Sequence, residues 1–109
     1  MTTITITKSS DGSFKAVECK GHSGYANHGH DIVCAAISAM TINTINSIDR
    51  FTDDKPIVTQ DEDEGIIRFK FDSPPSGDTD LLLRSFELGV TSIFEEYGKK
   101  FLNIKFRRE

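Results

Sequence analysis

The sequence predicts a single α+β domain of order β-β-α-β-β-α-β, with two helices packed on one face of a mostly antiparallel sheet. Three observations lead there. Two pairs of short extended runs, each pair joined by turn-forming residues, alternate with two stretches of helical period. The length, 109 residues, suits one hydrophobic core rather than two. No repeat, low-complexity tract or interior linker divides residues 1–109, and the two halves share element order without sharing sequence.

Thr2 to Thr7 alternates Thr and Ile with period two, Ser9-Ser10-Asp11-Gly12 supplies a turn, and Phe14 to Cys19 resumes extended character. Gly21 to His30 has loop composition, with three glycines and three histidines. From Asp31 a helix is expected to run to about Arg50, with Asp31 as its N-cap and Val33, Ile37, Met40, Thr44, Ile48 and Phe51 on one face. The runs beginning at Pro56 and Ile66 flank the acidic stretch Asp61–Glu64 and read as a second hairpin with a solvated tip. A second helix is expected from about Asp78, with Leu82, Phe86, Val90, Ile93 and Tyr97 inward and Gly98 as C-cap. Lys99 and Lys100 suit its negative end. The alternation from Phe101 to Phe106 marks a last strand, whose Lys105-Phe-Arg-Arg end reads as a solvated terminus.

Composition narrows the function classes. Hydrophobic residues at 37% and charged residues at 28% describe a folded domain, which excludes a disordered or collagen-like chain. A net charge of −4 provides no global attraction for phosphate backbones or anionic membranes, so direct nucleic-acid binding is not expected. The start MTTITITKSSDG lacks the features of a signal peptide, and no unbroken apolar run approaches the ~18 residues of a membrane span, so a cytoplasmic location is expected. In a reducing compartment Cys19 and Cys34 are not expected to form a structural disulfide.

Chemistry concentrates between Gly21 and Ser38. If Asp31 caps the helix, Cys34 occupies its first turn, where unpaired amides and the helix dipole favour a thiolate. His22, on the preceding loop, is placed to take the thiol proton. Position alone favours the other reading of Cys34, a small buried hydrophobe, since core cysteines outnumber catalytic ones. Asp31 can cap the helix or orient His22, and Ser38, one turn beyond Cys34, can donate near the site or bond back to the carbonyl of residue 34. Cys19, His22, His28, His30 and Cys34 are zinc-ligand types, but no second compact Cys/His pair follows, and no Walker or dinucleotide pattern accompanies Gly21-His-Ser-Gly24. Neither a metal nor a cofactor is expected.

Gly21-His22-Ser23-Gly24-Tyr25, then Gly29, then Asp31-Ile-Val-Cys34-Ala-Ala-Ile-Ser38 resembles the motif of the Prp family of ribosomal-processing cysteine proteases of Firmicutes and related bacteria. The resemblance implies that Cys34 is the nucleophile and His22 the base, that Asp31 and Ser38 are site residues, and that Gly21, Ser23, Gly24, Tyr25 and Gly29 belong to a substrate loop. Gly24 and Gly29 are expected hinges, and Tyr25 with Met40 is the expected pocket for a substrate aromatic. The resemblance further implies removal of the N-terminal extension of a large-subunit ribosomal protein, cut after an aromatic residue, by a homodimer. The competing reading is a non-proteolytic ribosome-associated or redox-sensing thiol protein.

Overall fold

The computed structural model describes residues 1–21 and 28–109, with residues 28–31 described by backbone alone. Its elements are β1 (Thr2–Lys8), β2 (Phe14–Lys20), α1 (His28–Phe51), β3 (Ile57–Asp61), β4 (Ile66–Lys70), α2 (Gly77–Tyr97) and β5 (Leu102–Arg108), the expected order. The five strands form one sheet of order β3-β4-β2-β1-β5. Neighbours are antiparallel except β1 and β5, which run parallel with Thr2 opposite Leu102 and Lys8 opposite Arg108.

Period-two alternation decides the faces of the sheet. Ile4, Ile6, Val17, Cys19, Phe69 and Leu102 point to the side that α1 and α2 cover, where they are buried. The first hairpin turns where Asp11 accepts a hydrogen bond from the Ser13 amide at 2.9 Å and another from the Ser9 hydroxyl. These bonds hold its carboxyl down at about 2. Gly12, at φ 91°, takes the left-handed conformation that the turn requires.

α1 buries Val33, Ile37, Thr41, Thr44 and Ile48 on one stripe. Thr41 and Thr44 are tolerated there because each hydroxyl donates to the carbonyl four residues back, at 2.7 and 2.8 Å. Residues 32–51 have a mean hydropathy of 1.3 over a length that could cross a membrane, but here that apolar content serves a core helix packed on the sheet. Phe51, expected inward, is 72% exposed at the helix end.

In α2 the buried stripe is Thr79, Leu83, Phe86 and Val90. It runs through Leu83, with the expected Leu82 and Ile93 partly buried and Tyr97 exposed. The run Leu81-Leu82-Leu83 is apolar throughout, so periodicity alone cannot select the member that meets the core. Met40 is turned toward α2, where its methyl group would lie 2.0 Å from a Cβ at Gly89, so it packs between the helices and not in a substrate pocket.

Ser76 caps α2, its hydroxyl accepting from the Thr79 amide at 3.4 Å, and Gly98 closes it at φ 76°, its amide donating to the Phe94 carbonyl at 2.7 Å. Asp54 holds this start to the end of α1. Its carboxylate accepts from the Ser76 hydroxyl at 2.6 Å, from the Ser76 amide at 3.0 Å and from the Thr79 hydroxyl. These bonds, chiefly that from Ser76, keep the Asp54 carboxyl below the usual carboxylate range. A depressed folded-state pKa gives stability that is present above the unfolded value near 4 and is lost as pH falls through the folded value. Asp54→Asn should therefore lower Tm at pH 7 by a few degrees, corresponding to about 1 kcal/mol for a charged acceptor open to water. The gap from wild type should narrow on acidification below about pH 4 in calorimetric scans.

Candidate active site

At the end of β2 the chain meets α1 and the turn between β3 and β4, leaving a cleft of about 30 Å³. Cys34 and Ser38 of α1 line it together with Cys19 and Gly21. Cys34 is partly exposed. Ser38 follows it by one helical turn and is likewise half-buried, so the structure brings these two expected residues together.

Two close backbone approaches shape the cleft wall. The Gly21 amide donates to the Gly65 carbonyl at 3.0 Å. Gly65 has φ 66°, and a Cβ there would lie 2.0 Å from the Gly21 carbonyl oxygen. A Cβ on Gly21 would lie 2.7 Å from Thr2 Oγ1, a buried hydroxyl with no hydrogen-bond partner among the described residues. Gly21 is thus a fixed point from which the chain enters the histidine-bearing segment. Gly65 and Thr2 were not singled out by sequence reasoning, since they meet Gly21 only through the sheet register; the sole local sign was a glycine ending an acidic turn.

The two sulfurs sit in opposite environments. Cys19 Sγ lies 3.2 Å from Thr41 Oγ1. Because Thr41 already donates to the Ile37 carbonyl, the Cys19 thiol is the donor in that pair. Burial pushes the Cys19 thiol up to about 11, the Thr41 contact opposes this in part, and the negative charge of Glu18 adds to it. Cys19 therefore stays a neutral packing residue, and its sulfur is engaged inside the core rather than offered to a metal.

The start of α1 corrects one expectation. The helix begins at His28, so Asp31 lies inside it and is not its N-cap, and Cys34 falls in the second turn rather than the first. The unpaired amides belong to residues 28–31, and the dipole's influence fades beyond that turn. The apolar repeat starts at Val33, but backbone hydrogen bonding starts a turn earlier, through Gly29 and His30, so Gly29 is a helical residue and not a loop hinge. His22, Ser23, Gly24 and Tyr25 lie outside the described residues, as do the side chains of His28 and Asp31.

A half-exposed thiol on a helix, lining a cleft at the end of β2, stands in a position that a thiol nucleophile of the cysteine-protease class can use. Comparison with known proteins gives the family. The sequence profile described as "Cysteine protease Prp" matches residues 1–102, and the chain belongs to that family. A relative from Staphylococcus aureus named ribosomal processing cysteine protease Prp is 30% identical over 106 residues, covering 96% of this chain and all of that protein. A crystal structure of the essential ribosomal processing protease Prp from S. aureus with a substrate peptide superposes with a TM-score of 0.87 at 28% identity, all of both chains being covered. A second S. aureus Prp structure, in complex with a covalently linked product peptide, gives a TM-score of 0.87 at 27% identity over 98% of this chain and all of that one.

Two outcomes test this geometry. Native protein treated with iodoacetamide should gain one adduct by intact mass, at Cys34, and a second at Cys19 only after denaturation; two rapid native adducts would contradict the burial of Cys19. Gly65→Ala should destabilise by roughly 1–3 kcal/mol in urea unfolding, through left-handed strain and collision with the Gly21 carbonyl. It should also reduce peptide cleavage more than a Gly12→Ala control, whose site has open space.

Proposed function

We propose that this cysteine endopeptidase removes the N-terminal extension of a large-subunit ribosomal protein, cutting after an aromatic residue, with Cys34 as nucleophile and His22 as base. The observation that carries the proposal is the single accessible thiol, Cys34, standing in a cleft whose wall at Gly21 leads directly to His22 in sequence. The covalently linked peptide on the S. aureus relative supports a covalent route.

The chemistry follows from these groups. His22 takes the Cys34 proton, and the thiolate attacks the scissile carbonyl carbon, forming a C–S bond and an oxyanion. Main-chain amides at the start of α1 stabilise that charge. Collapse of the oxyanion breaks the C–N bond, and the leaving amine takes the proton from His22. Water, giving its proton to His22, then attacks the thioester and releases the acid and the thiolate. Asp31 and Ser38 support the pair, while Ser23, Gly24 and Tyr25 contact the peptide. The enzyme acts in the cytoplasm, where its substrate is made, as a homodimer.

Incubating the protein with a ribosomal substrate that carries its native extension should give one cut after an aromatic residue by intact mass. Cys34→Ala should abolish the cut, and His22→Ala should slow it by at least about 100-fold. Cleavage that survives Cys34→Ala would overturn the assignment.

A further inference from the structure

The sheet has two faces, and only one is covered. Register places three rows of side chains on the open face: Ile57, Lys70, Ala16, Thr7 and Arg107; then Thr59, Arg68, Glu18, Thr5 and Lys105; then Asp61, Ile66, Lys20, Thr3 and Asn103. Five of these residues are cations and two are carboxylates, so the face is net positive although the chain as a whole is −4. Lys20, Arg68, Lys70, Lys105 and Arg107 are all exposed, and none forms an ion pair among the described residues, whose salt bridges join Lys8 to Glu87 and Lys55 to Asp49. A shallow cleft of about 280 Å³ opens on this face, lined by Lys20, Lys105 and Arg107 together with Thr3, Thr5 and the single carboxylate Glu18.

We infer that this open sheet face binds the phosphate backbone of RNA. Charge complementarity carries the inference. Unpaired cations on β4, β2 and β5 span the sheet, with β4 and β5 separated by about 14 Å, while threonine hydroxyls between them can donate to phosphate oxygens. The face carries no aromatic side chain, so it offers no base-stacking platform and recognition is independent of sequence. Most of the chain's negative charge lies off this face, including Glu62, Asp63 and Glu64 of the turn at one corner, which is why net charge alone conceals the patch. RNA is favoured over other polyanions because the proposed substrate is a ribosomal protein, so an enzyme that meets this substrate on or near the ribosome also meets RNA. The inference thus builds on the proposed function but does not engage Cys34, and of the five cations only Lys20 also borders the Cys34 cleft.

The test uses the full chain and dye-labelled polyuridylate, with binding followed by fluorescence anisotropy between about 50 and 200 mM salt. Five phosphate contacts on a single strand predict a slope of log affinity on log salt near −3.5, roughly a hundredfold loss across that range. The doubly substituted Arg68→Glu, Lys105→Glu protein should bind at least about tenfold more weakly with a shallower slope, and a Lys70→Glu, Arg107→Glu protein should do the same if one pair impairs folding. Both should cleave an isolated substrate peptide at the wild-type rate, so loss of RNA binding and loss of proteolysis read out separately. The inference is overturned by absent binding at about 50 mM salt. It is equally overturned by undiminished binding in the variants, by binding to phosphatidylglycerol vesicles but not to RNA, or by variants that convert a dimer to monomers, which would make this face a subunit interface.

Discussion

Burial of one stripe of α1 against the centre of the sheet decides where the thiol stands. Val33, Ile37 and Ile48 are withdrawn almost entirely from water, each contributing an upper figure of roughly 1.5–3 kcal/mol. Cys34 and Ser38 each follow a member of that stripe by one residue, a rotation of about 100° around the helix. They therefore fall at its edge, half in the protein and half in the cleft. The position of the Cys34 sulfur is inherited from core packing.

The same stripe separates the roles of the two cysteines. Thr41, two turns beyond Cys34, meets the Cys19 thiol and occupies it in a closed chain that ends on the Ile37 carbonyl. Both sulfurs border one cleft, yet one lies on the inner face of the sheet and the other on the rim of a helix. Their environments differ chiefly through burial and hydrogen bonding, with the charge of Glu18 a lesser contribution at Cys19.

Much of this was legible in the chain. The Thr/Ile alternation of β1, the acidic turn before β4, and Gly98 closing α2 each carry a local signal strong enough to survive tertiary context. Cys34 and Ser38 were legible as a pair because helical spacing alone sets them on one side. The start of α1 was not, because the hydrophobic repeat records what a helix buries and is silent on a first turn that buries nothing of the stripe. Gly65, Thr2 and the cationic rows escaped for a different reason. They are adjacent only after strands distant in sequence come into register, and no window along the chain contains that information.

The parallel pairing of β1 with β5 bears on how the enzyme comes into being. Thr2, which closes the cleft wall at Gly21, is itself held by a 3.1 Å bond from its amide to the Phe101 carbonyl and by the ladder that follows. β1 must therefore wait for β5, and the entropy of closing the long loop between Thr2 and Leu102 is met before that contact gives anything in return. The hairpins and helices can form early, but the Thr2 side of the cleft wall is set only once β5 has docked. The geometry of the cleft wall at Gly21 thus depends on the most sequence-distant pairing in the sheet.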